Sequence, residues 1–220
     1  MAQEQPIPDV IYAAHRWVVD GVVLRLEGLL VNADDALFEI AMRSSEEFDQ
    51  RRCFDLARQL RVQRDQIIGG YRHVMERGRR VWALRDFRPR QTDVAWDHAR
   101  MLGAKAQIHF APLLNVLASQ FSGLLHCTVD NFEVLPISPA WIANGYIEAR
   151  REAGFSAAAT LFLDRLFVRY VVDRLGSIYG EIHGMLETAD QVRGRNQSST
   201  WQLEPMSDNR RADAAGRRAG

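Results

Sequence analysis

The sequence predicts an all-α protein, an irregular bundle of about six helices with long antiparallel helices and a disordered C-terminal tail. Three observations lead to this prediction. Apolar residues recur at steps of three and four over long stretches, which is the period of a helix with one buried face. Serine and proline occur where several of these stretches begin. The 47% hydrophobic and 25% charged content is typical of a globular chain, so global disorder is not expected.

Composition divides the chain into three parts. Residues 1–8 form a short proline-containing arm, and residues 9–191 carry the helical pattern of a single domain. Residues 192–220 are rich in Arg, Gly, Ser, Asn and Asp, which predicts a disordered tail.

The domain begins with a helix whose apolar stripe runs from Val10 to Leu30. Asn32 and the pair Asp34 and Asp35 favour helix starts, because their side chains cap the first turn and suit its positive end. We therefore expect a break there, followed by one short apolar helix. Its apolar residues are Leu37, Phe38, Ile40 and Ala41.

Ser44 and Glu47 have the spacing of a capping box, so a second helix is predicted to start at Ser44. An apolar seam at alternating steps of three and four runs along it from Ala57 to Val74, as in a coiled coil. Gly69 and Gly70 interrupt this helix and favour a kink or a close crossing. One edge of the helix is a candidate partner-binding surface. Its residues are Leu56, Leu60, Arg61, Arg64 and Ile67.

Residues 77–93 are interpreted as a helix end followed by a basic connector, since arginines crowd this stretch around an aromatic side chain. Guanidinium groups bind phosphate through forked hydrogen bonds, and an indole can stack on a base. The connector is therefore an alternative site for a small anionic ligand such as a nucleotide or cyclic dinucleotide. The candidate residues are Arg79, Arg80, Trp82, Arg85 and Arg88.

The next helix is predicted to start at Thr92 or Asp93 and to be kinked or divided at Pro112, because proline costs about 3 kcal/mol inside a helix. Residues 129–137 are interpreted as a loop whose apolar side chains pack inward. Ser138 and Pro139 mark the start of a short helix that Gly154 ends.

Ser156 is predicted to cap the last long helix. Its apolar stripe extends to Leu186 and is wide enough for the centre of a bundle.

Motifs for chemistry were not found. The sequence has no nucleophile elbow, no phosphate-binding glycine loop and no His-x-x-x-His or Glu-x-x-His step, so no enzyme activity, cofactor or metal is predicted. Cys53 and Cys127 are interpreted as buried free thiols. The balanced net charge argues against a nucleic-acid partner. No segment resembles a membrane span or a signal peptide, which predicts a cytoplasmic protein.

Two blocks of sequence resemble a bacterial family, the domain of unknown function 1631 (DUF1631). The first block is DDALFEIA at residues 34–41 with FDLARQLR at residues 54–61 and Arg64. The second is LPISP at residues 135–139, followed by Leu166, Phe167, Leu175 and Tyr179. The resemblance extends over about residues 20–188 and matches only the N-terminal portion of longer family members.

The resemblance implies no established activity. Some members carry the label thymidine phosphorylase, but this chain has Lys105 as its single lysine and lacks a glycine-rich phosphate loop. Other members resemble cyclic-dinucleotide signalling proteins. The long seam from Ala57 to Val74, the wide stripe of the last helix and the missing catalytic motifs lead us to expect a non-enzymatic helical interaction module. We expect a regulatory or adaptor protein that self-associates or binds a protein partner.

Overall fold

The computed structural model describes residues 7–43, 46–85, 87, 94–129 and 131–200. Within these ranges the chain forms seven α-helices and two short 3-10 turns without a β-strand, which confirms the all-α prediction. The helices are α1 (Asp9–Arg43), α2 (Glu47–Leu84), α3 (Val94–His109), α4 (Ala111–Leu125), α5 (Pro139–Arg151), α6 (Ala157–Tyr170) and α7 (Leu175–Thr200). The 3-10 turns are Phe132–Val134 and Val172–Arg174.

Helices α1 and α2 form a long antiparallel hairpin. Two ion pairs join the helices along the hairpin. Asp20 lies 2.7 Å from Arg72, and Asp34 lies 2.6 Å from Arg61. The predicted break in α1 is wrong, since the helix continues through this region. The Asn32 side-chain amide donates to the Gly28 carbonyl one turn earlier instead of capping a new helix. The buried stripe also continues without interruption, through Leu30, Ala33, Leu37 and Ala41.

The long α2 is confirmed, and its seam is buried along most of its length. Its predicted cap, Ser44, lies outside the described residues, and Glu46 occupies the N-cap position. Gly70 allows a close crossing with α5, because a Cβ there would lie 3.4 Å from the Cβ of Ala149. The helix extends to Leu84, so residues 77–84 are helical and the predicted connector begins too early.

Pro112 divides the next helical segment as predicted. Helices α3 and α4 meet at 96°, with proline in the first turn of α4. Among the described residues no single helix is long and apolar enough to cross a membrane, although this bent pair together satisfies both criteria.

Helix α5 lies at the centre of the bundle, where the sequence had placed the last helix. Eleven of its thirteen positions, all except Glu148 and Arg151, are buried, and α2 and α3 pack against it. The predicted cap is confirmed, since the Ser138 hydroxyl accepts from the Trp141 amide at 3.3 Å. The preceding loop packs inward as predicted. Its buried residues are Val129, Phe132, Leu135 and Ile137.

The last helix is divided rather than continuous. Ser156 caps α6 as predicted, and the 3-10 turn at Val172–Arg174 then separates α6 from α7. The turn positions Gly176 against the Phe110 ring, where a Cβ would lie 2.6 Å from a ring carbon. Helix α7 extends to Thr200, past the predicted tail boundary at residue 192, and residues 201–220 lie outside the described residues.

Candidate protein-binding surface

The predicted partner-binding edge of α2 is largely used inside the molecule. Leu60 and Ile67 are each only 2% exposed, so they are core residues and cannot contact a partner. Leu56 and Arg64 are half-buried. Arg61 is exposed, but it donates to Asp34 through both Nε and Nη2, at 3.0 and 2.6 Å. The physical reason is that the seam on α2 packs within the hairpin rather than against another chain.

A different set of apolar side chains on the same hairpin is exposed. On α1, residues 31, 38 and 42 lie on one face, because steps of seven and four return to the same side of a helix. Phe38 contacts Phe54 of α2 edge-to-face, with ring centroids 6.3 Å apart. We call this set the hairpin-end patch. It consists of Val31, Phe38, Met42 and Phe54, with exposures of 51%, 57%, 67% and 47%.

Charged pairs border the hairpin-end patch. Asp34, one helical turn before Phe38, forms the ion pair with Arg61, and Arg43 forms an ion pair with Glu39 at 3.5 Å. Aromatic, methionine and arginine side chains are the types enriched at protein interfaces. Sequence reasoning placed Phe38 in a short apolar helix and overlooked its exposure. The spacing of residues 31, 38 and 42, away from the buried stripe, was the available signal.

The anion site predicted in the arginine-rich segment included the indole of Trp82, but this indole is not at the surface. Trp82 is fully buried, its Nε1–H donates to Nδ1 of His15 at 3.2 Å, and its ring stacks on Phe121. The indole is therefore inaccessible to a ligand. Arg79 lies over the Tyr12 ring, at 5.4 Å from its centroid.

The remaining arginines of that site do not converge within the described residues. Arg79 and Arg80 are successive positions of α2 and so project in different directions. Arg85 adopts a left-handed conformation at the end of the helix, with φ 48°. Arg88 lies outside the described residues.

His15 belongs to the core that surrounds Trp82. Because the indole must donate to Nδ1, the proton of the neutral imidazole is on Nε2, which donates to the Met75 carbonyl at 3.0 Å. Burial lowers the pKa of His15, since the charged ring would lose its hydration. The interaction ties α1 to α2 and gives the ring no access to a substrate.

A second polar cluster joins three helices. Asp164 of α6 is 5% exposed and lies 3.2 Å from Nη2 of Arg150 and 3.1 Å from Nε2 of His98. Burial raises the pKa of this carboxyl, while the guanidinium, the imidazole and the Tyr146 hydroxyl oppose the rise. Arg150 also lies over the Tyr146 ring, at 5.2 Å from its centroid.

This cluster connects three helices through the contacts of Asp164 with Arg150 and His98. Its members come from α3, α5 and α6 and share no spacing in the sequence, so only the fold could reveal it. An aspartate–histidine pair can accept a proton, but within the described residues His98 has no hydroxyl or thiol partner to activate. No three His, Cys, Asp or Glu side chains in that part of the chain are arranged to hold a metal.

The two cysteines are free and half-buried, and burial raises the pKa of both thiols. Asp49 adds to the rise in the pKa of Cys53, and Arg85 opposes the rise in the pKa of Cys127 without reversing it.

Comparisons with models of known families, with curated proteins and with solved structures give no match. The resemblance to DUF1631 stays a prediction.

Proposed function

We propose that the protein is a non-enzymatic helical interaction module that binds a protein partner through the hairpin-end patch. The edge-to-face contact between Phe38 and Phe54 on an exposed face is the observation that supports it. A regulatory or adaptor role in the bacterial cytoplasm is part of the same proposal.

The energetics of the two rings favour this reading. Each ring is about half exposed, so covering the remainder would contribute roughly 1 kcal/mol per ring. Single exposed apolar residues are common on protein surfaces, but contiguous ones mark interaction sites. Met42 adds a flexible side chain that adapts to the shape of a partner.

The test is affinity capture of partners from a lysate with quantitative mass spectrometry, comparing matched variants. Phe38→Ser and Phe54→Ser remove the two rings, and Val116→Ser is the control, because Val116 is 45% exposed and lies on α4 rather than on the hairpin that carries the patch. We expect the control and the original chain to retain the same specific partner, and both patch variants to lose it.

Thermal unfolding should show that the patch variants are folded, since half-exposed rings contribute little to the core. Equal recovery of the partner by the original chain and both patch variants would refute the proposal. So would loss of the partner with Val116→Ser alone.

The alternative, binding of a nucleotide or cyclic dinucleotide by Arg79, Arg80 and Arg85, has weaker support because the buried indole cannot stack on a base. Isothermal titration calorimetry with a panel of nucleotides distinguishes the two functions.

A further inference from the structure

A regular stripe on α3 faces solvent. Its positions follow one another at steps of three, four, three and four, which is the spacing of a coiled-coil seam. We call it the α3 seam. It consists of Val94, Asp97, Met101, Ala104 and Ile108, all exposed.

The exposure is large for apolar side chains. Val94, Met101 and Ile108 are 88%, 73% and 77% exposed. The outward face of a surface helix is normally polar, because the opposite face supplies the core contacts. Helix α3 already has a face that packs in the core, and this face contains Trp96, Gly103 and further small residues. The α3 seam is therefore a second apolar face without a partner in the described part of the chain.

An open groove of about 460 Å³ runs beside the α3 seam. Gly103 and Ala140 line it, together with the Arg100–Glu133 ion pair, whose atoms are 2.6 Å apart. The lining residues of the groove therefore come from α3, α5 and the 3-10 turn at Phe132–Val134.

Charge indicates which helix fits. Asp97 is the one charged residue in the α3 seam, and it has no ion pair within the described residues. Lys105, eight residues further along the same helix, is exposed and lies 2.9 Å from Asp173. Met101 is midway between Asp97 and Lys105, so the charges are placed symmetrically about it.

We propose that the protein forms a twofold dimer in which α3 packs antiparallel against α3 of a second copy, with the axis near Met101. This arrangement brings Asp97 of each copy towards Lys105 of its partner and pairs Val94 with Ile108. Each contact occurs twice, as an isologous interface requires. A parallel arrangement in register would instead place the two Asp97 carboxylates together, which is unfavourable.

The interface is modest in size. A 16-residue helix is about 24 Å long, and one pair of such helices falls at the low end of interface areas. The dimer is therefore weak, with a dissociation constant on the order of micromolar. The proposal goes beyond the proposed function, because it uses a surface separate from the hairpin-end patch.

The test is sedimentation velocity of the full chain over about a hundredfold range of concentration. We expect the original chain to shift from monomer to dimer, and Met101→Glu to remain monomeric because two charges would face each other at the axis. Phe38→Ser should dimerise like the original chain, so a failure of this proposal is distinguishable from a failure of the proposed function.

Two charge variants test the register, and mixing them separates the contact between copies from the Lys105–Asp173 ion pair within each copy. Asp97→Lys and Lys105→Glu each produce like-charge contacts in a dimer, so each alone should dimerise about tenfold more weakly. A mixture of the two restores both opposite-charge contacts, and we expect heterodimers as strong as the original dimer.

Three outcomes would overturn the proposal. They are a strictly monomeric original chain, dimers that none of these substitutions weakens, and a mixture no stronger than its components. Binding of the original chain to phosphatidylglycerol vesicles that Met101→Glu abolishes, without any dimer, would assign the α3 seam to a lipid surface instead.

Discussion

Gly103 allows α3 to cross α5 closely, and replacing it with alanine should destabilise the protein. A Cβ at this position would lie 2.8 Å from the carbonyl carbon of Pro139 and 3.0 Å from the amide nitrogen of Ala140. Both are backbone atoms at the start of α5, so neither can rotate away as a flexible side chain would. The methyl group fits only if the two helices move apart.

The magnitude is the difference between two opposing effects. Alanine in place of glycine favours a helix by about 1 kcal/mol. Forcing an extra carbon into a well-packed contact costs about 1 to 3 kcal/mol. Gly180 gives the matched control, because it is exposed on α7 and a Cβ there would meet no atom within 4 Å. Only the favourable effect applies to Gly180→Ala, so the two variants should differ by about 1 to 3 kcal/mol.

The assay is thermal and urea unfolding of both variants beside the original chain. For a chain of this length the difference corresponds to melting temperatures separated by roughly 3 to 10 °C, with Gly103→Ala below and Gly180→Ala above the original. Equal stability of the two variants would refute the close crossing between α3 and α5.

Three further predictions concern the buried His15 and Asp164 and the half-buried Cys127. Burial lowers the pKa of His15, so the unfolded chain binds a proton more readily than the folded protein does. The free energy of unfolding should therefore fall as the pH drops below about 6.5, and urea midpoints across this range should fall less for His15→Asn. Asp164→Asn leaves Arg150 without its buried counter-charge and should lower the free energy of unfolding by about 3 kcal/mol, whereas Asp164→Leu combined with Arg150→Met should recover most of that loss. Burial raises the pKa of the Cys127 thiol, so iodoacetamide should modify it more slowly in the folded protein than in urea; peptide mass spectrometry measures both rates, and equal rates would contradict the burial.

Local sequence signals predicted most of the helix boundaries at which a single residue type determines the backbone conformation. Pro112 lacks the amide that a continuous helix needs, and Ser138 with Pro139 supplies a cap and a fixed φ. The same rule failed at Asp34, where the preference of the side chain for helix ends is outweighed by the continuous apolar stripe beneath it. Tertiary contacts decide such cases, since α1 is held along α2 by packing and by the Asp34–Arg61 ion pair.

The candidate sites were harder to predict from the sequence than the helix boundaries. The burial of a side chain depends on which helix packs against its face. Trp82 was interpreted as a ligand platform among arginines, yet its ring lies in the core beside Phe121. Arg79 and Arg80 are exposed positions of the same helix, because α2 extends beyond the predicted boundary. The cluster around Asp164 joins α3, α5 and α6, and no spacing rule connects residues on three separate helices.

The α2 and α3 seams show what periodicity determines and what it leaves open. Both follow steps of three and four, and in both a polar residue interrupts an otherwise apolar stripe, Arg64 in one and Asp97 in the other. The α2 seam is buried inside its own chain, because a short connection returns α2 along α1. The stripe on α3 faces outward, because the opposite face of that helix already packs on α5. A stripe at steps of three and four therefore predicts that a helix face packs against a second helix. The connections between helices determine whether that second helix belongs to the same chain. If another copy provides it for α3, substitutions at Met101 should change the state of association while leaving the unfolding temperature almost unchanged, whereas substitutions at Ile67 should do the reverse.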